Sequence, residues 1–529
     1  MAMVMSLIFL LSAHLPVFGG ISGQSAVTIS GTVFHDAGKT GVFDPAVDKP
    51  LQGVAVSNGR DIVMTDSHGR YALDVDDHTI IFVIKPQNWA VPVDDLNIPR
   101  FYYIHSPEGA SGEKFGGLDP TPPLPDQVDF PLYPEDEPDR FEVIVFADTQ
   151  SRNEKELSFL TRDAIEELAG TDAAFGVTLG DLVFDDLDLF EPMNQIIAQI
   201  GIPWRHMIGN HDLDFSAGNN TAARGAYYKH YGPSYYSFEY GPAHFIVLDN
   251  ARFMIRESDN HRYYRPELDA DQLAFVENEL ARIDKNKLLV VMKHIPWDDR
   301  GWNMEQRNKL MGLLSEHPNA LSLGAHWHRH YHSFLGNDYG FTGDAPHHMI
   351  SFGAVCGAWW RGMPDEYGIP HAMMTDGTPA GYGILQVNGT EARLHWQPSR
   401  RRADFQMHIG APDIIASGET EGLIVSANIF NALPDASVQM RIGSKGQWIE
   451  MERSPAPDPV KAALSEREKQ ITAQLDEIPW MESRGAGNSP KLWQAKLPGT
   501  LKPGTWLIEV RSEDRWWVHE GRRIIRVSE

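Results

Sequence analysis

The sequence predicts an α/β domain carried between two β-rich modules. Three observations lead there. Apolar strand-like runs alternate with helical periodicity over residues 141–397; short strands with frequent turns precede that region; strands return after Arg400. Alternating strands and helices mark an α/β core, and short turn-punctuated strands mark sandwiches. At 529 residues the chain exceeds the roughly 50–250 residues of a single domain.

Residues 1–24 read as a signal peptide. An apolar centre, residues 4–11, is followed by Pro16 and the small residues Gly19, Gly20, Ser22 and Gly23. The run is too short for a membrane span, which needs about 20 apolar residues, although no Lys or Arg precedes it. No later stretch approaches that length, so the expectation is an exported protein, periplasmic or secreted, without an integral span. Cys356 is the only cysteine, which rules out an intrachain disulfide.

Residues 25–116 carry short strands at 27–34, 54–57 and 71–75, with Asn58-Gly59 and His68-Gly69 as tight turns. They predict an N-terminal β-sandwich. Asp36, Asp44 and Asp48 lack EF-hand spacing and read as a solvated acidic loop. Residues 117–140 are dense in proline and acids and predict a stiff linker. Within the central domain, residues 141–399, helices are expected at 154–168, 270–283 and 304–314. Residues 400–529 predict a second β-sandwich interrupted by a polar helix near 460–478.

Charge bounds the partners. Lys and Arg number 46 against 72 Asp and Glu, a net charge of −26. Nucleic-acid binding wants basic faces, so DNA and RNA are not expected. A small anionic substrate needs local positive charge, which metal ions supply.

The central strands end in potential ligands. Phe146 is followed by Asp148-Thr149-Gln150, Leu179 by Asp181, Ile208 by Asn210-His211-Asp212, Met292 by His294, and Leu323 by His326-Trp327-His328. In open α/β sheets the carboxyl ends of strands are where ligands bind. Paired cations need a shared carboxylate and further O or N donors, and this set contains them. Mixed imidazole and carboxylate donors suit manganese, iron, zinc or nickel over magnesium and calcium.

These motifs resemble the five ordered motifs of the calcineurin-like metallophosphoesterases, over about 190 residues. With its flanking β modules, and the tract Asp376-Gly377-Thr378-Pro379-x-Gly381-Tyr382, the chain is similar to a bacterial exported branch of that superfamily. The resemblance implies a four-layer α/β/β/α core and hydrolysis of a phosphate mono- or diester by metal-bridging hydroxide. It implies that Asp148, Gln150, Asp181 and His328 hold one metal and Asp181, Asn210, His294 and His326 the other, with Asp181 shared. His211 is then the general acid, its ring oriented by Asp212. Gln150 stands where most of the superfamily has His, predicting looser binding there and a tilt toward manganese or iron, zinc remaining compatible. Phe184 stands where many relatives place Asn, Asp or Tyr, which sets Asp185 and Asp186 outside the expected ligands.

Arg361 beside Trp359 and Trp360, with Asp376 and Tyr382, suggests a pocket that stacks a ring and grips an anion of a small phosphorylated substrate. Trp327 is expected in the core, since an extended segment would turn it away from its flanking histidines. His330, His332, His347 and His348 read as surface or supporting residues. Two other readings compete: a cell-surface binding protein with an inactive phosphoesterase-like centre, and a carboxylate-pair glycosidase, which has no need of the histidine row.

Overall fold

A computed structural model describes residues 27–497 and 499–529; the expected signal peptide lies outside the described residues. The described chain is mixed α/β, with β-rich regions on either side of a central α/β unit. No helix among the described residues is long and apolar enough to cross a membrane.

The central unit holds two sheets. In the first, Trp204–His206, Phe175–Thr178 and Arg140–Phe146 run parallel, and the hairpin Gly381–Asn388 and Glu391–Pro398 extends them antiparallel. In the second, Ala243–Leu248, Leu288–Lys293, Ala320–Gly324 and His347–Ser351 run parallel between antiparallel edges Tyr236–Tyr240 and Tyr331–Leu335. Every residue of Ala243–Leu248 and Leu288–Lys293 is buried, the signature of strands covered on both faces. Phe175 of the first sheet meets Phe238 and Phe245 of the second at 5.5 and 5.4 Å between ring centres.

Helices begin where the sequence places caps. Asn153, Asp269 and Asn303 each accept a backbone N–H with the side chain, opening Glu154–Leu160, Ala270–Arg282 and Met304–Leu314. The expected helix at 154–168 is interrupted by a π-turn at Thr161–Ile165. The polar C-terminal helix is Pro459–Thr472, capped by Asp458 and shorter than expected.

The proline-rich tract is not only a connection. Phe130–Pro134 is a strand of the N-terminal sheet, parallel to Val27–His35 and antiparallel to Trp89–Ala90. The pairing buries Phe130 and Leu132, and that burial outweighs the usual exclusion of proline from sheets. In the acidic loop, Asp36 and Asp48 accept backbone N–H groups from residues 37–44 and so close the loop on itself.

The two β regions join the centre differently. The N-terminal region shares one apolar core with it, through contacts such as Phe101 on Tyr236 at 4.9 Å. The C-terminal region has an apolar core of its own and meets the centre both through Phe430, which joins the central core, and through buried polar groups. Asn431 accepts from the Nε2 of both His330 (2.8 Å) and His332 (3.0 Å). His332 Nδ1 accepts from His348, whose Nδ1 accepts from Arg515. The histidines expected at the surface or in support are therefore largely a neutral chain across this junction; His347 instead bonds Ser322 inside the centre.

Candidate metal centre

The strand ends converge. Asp148 and Gln150 follow Arg140–Phe146, Asp181 follows Phe175–Thr178, Asn210 opens a short turn after Trp204–His206, His294 follows Leu288–Lys293, and His326 and His328 follow Ala320–Gly324. The parallel strands of both sheets thus deliver their carboxyl ends to one spot. Ligand atoms of Asp181, His294 and His326 all lie within 4.8 Å of one another. His294 Nε2 is 3.1 Å from Asn210 Oδ1, 3.2 Å from Asp181 Oδ2 and 3.2 Å from His326 Nδ1. His328 Nε2 is 3.6 Å from Asp148 Oδ1.

Backbone strain accompanies this convergence. Asp148, Gln150, Asp181, His326 and His328 all take positive φ, between 37° and 71°. Such conformations are costly for residues other than glycine and concentrate at functional sites. They also explain Trp327. Left-handed turns on either side abolish the extended geometry that would have buried it, and it is 45% exposed rather than in the core.

The residues fit a bound cation. His328 donates from Nδ1 to the Gly357 carbonyl at 2.6 Å, and burial holds its pKa down to about 4, so the ring is neutral. Its Nε2 lone pair then faces the Asp148 carboxylate, an arrangement of two acceptors that a positive ion between them satisfies. Burial, then the neighbouring Asp181, outweigh the opposing His294 and push the Asp148 carboxyl up to about 8. That is the behaviour of a carboxylate short of positive charge. His294 is tied through Nδ1 to the Leu179 carbonyl at 2.9 Å, and Asn250 accepts from Ile295 N–H and donates to its carbonyl to hold that loop. Gln150 departs from expectation: its amide nitrogen, not its oxygen, faces Asp181 Oδ2 at 2.8 Å, with the oxygen toward Cys356.

His211 stands beside this cluster, its backbone N–H donating to Asp181 Oδ1 at 2.8 Å. Burial opposes its charge, but Asp181 and Asp185 outweigh burial and raise its pKa to about 9. Asp212 does not orient the ring. Its carboxylate accepts from Leu182, Val183 and Gly209 N–H groups, tying two site loops together, because the turn folds it back under its own backbone. The ring's partner is Asp185, with Oδ1 at 2.7 Å from Nδ1. Phe184 stacks on the ring at 4.4 Å, and Arg152 lies 4.6 Å from the Phe184 ring centre. The only advance signal for Asp185 was its position after the strand-end motif.

A cleft of about 630 Å³ opens at His211, walled by Asp185, Phe215, Arg262, Tyr264 and, from the N-terminal region, Lys114 and Phe115. Ser216 Oγ accepts from the Glu113 and Lys114 N–H groups and fixes that wall.

The suggested second pocket breaks up. Trp359 stacks on His328 at 4.2 Å, and Arg361 is half-buried nearby. Trp360 is buried, donating to the Thr149 carbonyl. Asp376 is buried in an ion pair with Lys491 at 2.8 Å, and Tyr382 is buried with its hydroxyl on Glu167. These last three are packed into the interior.

Comparisons with known proteins cover most of the chain. Family models match residues 39–117 as the N terminal of calcineurin-like phosphoesterase, 141–330 as calcineurin-like phosphoesterase, and 350–518 as the C terminal of calcineurin-like phosphoesterase. No curated protein matches. Solved structures that match include a Bacteroides uniformis beta-glucuronidase 2 covalently bound to cyclophellitol-6-carboxylate aziridine and a Bacteroides uniformis beta-glucuronidase. Each is 9% identical and covers 90% of this chain, with TM-scores of 0.24 and 0.22. The chain spans only 57% and 56% of their lengths, and likeness at that level carries no argument. From the three family matches, the chain belongs to the calcineurin-like phosphoesterases, in the form that carries both an N-terminal and a C-terminal module.

Proposed function

We propose that this chain is a metal-dependent phosphoric ester hydrolase acting on a small phosphorylated molecule. The observation that carries the reading is the convergence of Asp148, Asp181, Asn210, His294, His326 and His328 on one strained, acceptor-rich spot. In this reading Asp148, Gln150, Asp181 and His328 hold one ion and Asp181, Asn210, His294 and His326 a second. Gln150 does so after turning its amide over. A bound pair of manganese or iron ions, or zinc, supplies positive charge to the phosphoryl oxygens and acidifies water to near-neutral pKa.

The chain's own residues do the remaining work. His211 faces the cleft with Asp185 on its ring, so in its protonated form it is set to donate a proton to the leaving oxygen. Asp185 holds Nδ1 and leaves Nε2 as that donor, while Phe184 fixes the plane of the ring. Asp212 keeps the loops of Asp181 and Asn210 in register. The leaving group occupies the cleft walled by Lys114, Arg262 and Tyr264.

The contacts between Phe175 and Phe238 support the four-layer core, with domain limits near residues 25–116, 141–399 and 400–529. We also read the protein as exported, from the leader-like start of its sequence. The test is metal analysis of purified protein with a panel of phosphate mono- and diesters. Substoichiometric metal after reconstitution, or hydrolysis untouched by a chelator and by Asp181→Ala, refutes the proposal.

A further inference from the structure

Two arginines beside the centre, Arg361 and Arg484, make no ion pair among the described residues, in a chain with far more acid than base. Arg361 buries its Nε without a hydrogen-bond partner among the described residues, and burial, then Arg152 and Arg484, outweigh the nearby Glu156 and hold its pKa below the usual range. Arg484 lies 4.7 Å over the Trp359 ring, whose other contact is the stacked His328. Its guanidinium thus lies over a ring that itself stacks on an expected ligand. Arg152 belongs to the same group but is already neutralised by Glu156 at 2.9 Å, and its Nη1 donates to the Trp359 carbonyl at 3.0 Å.

Arg484 comes from the C-terminal module, on a loop anchored on both sides. Glu468 accepts from the Trp480 indole at 2.9 Å and the Ser483 N–H at 3.1 Å. Gly362 N–H donates to the Met481 carbonyl, and Gly487 N–H to the Thr375 carbonyl, each at 2.8 Å. The receiving segment is itself strained, with Trp359 and Trp360 at φ 60° and 51°, a conformation that bulky residues avoid without a compensating role. Positioned, unpaired guanidinium groups near a phosphate site match the forked geometry of a carboxylate or phosphate.

We infer that loop 480–487 of the C-terminal module completes the substrate site, with Arg484 and Arg361 gripping a second anionic group, phosphate or carboxylate, on the substrate. The inference rests on the phosphoesterase reading above and explains why that module is docked against the catalytic loops.

The experiment uses the metal-loaded full chain and three substrates on one alkyl scaffold: the plain monophosphate, the same with a terminal carboxylate, and the same with a terminal second phosphate. At least one of the two substrates with a second anionic end is favoured over the plain one by about tenfold or more in kcat/KM, chiefly through KM. Which of the two is favoured identifies the group. Arg484→Ala and Arg361→Ala each collapse that ratio toward one, and Arg484→Lys retains part of it. Arg484 is exposed, so its variants keep the parent melting temperature. A parent ratio near one, or a ratio that neither alanine variant changes, overturns the inference. If none of the three is hydrolysed by metal-loaded protein, the phosphoesterase reading itself fails and this inference falls with it.

Discussion

Removing the Asp185 carboxylate tests the acid assigned to His211. In Asp185→Ala the ring loses its 2.7 Å partner but keeps the Phe184 stack and the backbone anchor to Asp181. A hydrogen bond between charged groups contributes about 1.5–3 kcal/mol. Asp185 is 52% exposed at its side chain, so water screens the pair and the lower end applies. About 1.4 kcal/mol corresponds to about tenfold in rate. The loss should fall on kcat and depend on the ester. An alkyl phosphate, whose leaving oxygen needs a proton, slows by about tenfold, while a nitrophenyl phosphate slows much less. In a His211→Ala background, itself slowed by about 10²–10⁴ on the alkyl ester, Asp185→Ala adds little. Equal losses on both esters, or full additivity with His211→Ala, would falsify the assignment.

Gly209→Ala places a methyl 2.2 Å from the Asp181 N and 2.3 Å from its Oδ1, so Asp181 must shift; metal content and activity both fall, and full metal stoichiometry in the variant contradicts this. Lys491→Met strands the buried Asp376 charge and lowers stability by about 3–5 kcal/mol in urea melts, most of it recovered in Lys491→Met/Asp376→Leu. Burial depresses the His332 pKa to about 4, below its unfolded value, so the unfolded chain binds the extra proton and stability drains as pH falls from about 6.5 toward 4. That ring alone accounts for about 2 kcal/mol between pH 7 and 5. A His332→Phe variant has a correspondingly shallower acid slope in thermal melts, and an unchanged slope removes this role.

Much of the site was legible because it is written in strand ends. Apolar runs stopping at Gly180-Asp181 or Gly209-Asn210 report both a buried strand and the donor beyond it, and parallel strands bring such ends to one edge. The polar chain at the C-terminal junction was not legible: His330 and His332 find Asn431 about a hundred residues later, and no local period encodes that pairing. Phe130–Pro134 was misjudged for the opposite reason, because proline density reports local stiffness and not the neighbour that buries it. Asp212 was assigned to the His211 ring through the family resemblance, yet the turn at residues 210–212 carries its carboxylate away and brings Asp185 instead.

By itself the amino-acid sequence determined the α/β centre, the donor types and their order, since periodicity and ligand chemistry are properties of short segments. Only the tertiary structure decided which carboxylate bonds the His211 ring, that Trp327 is outside and Asp376 inside, and that the last module lays Arg484 over Trp359. Those are matters of direction in space, fixed by left-handed turns and long-range packing that a linear pattern does not contain.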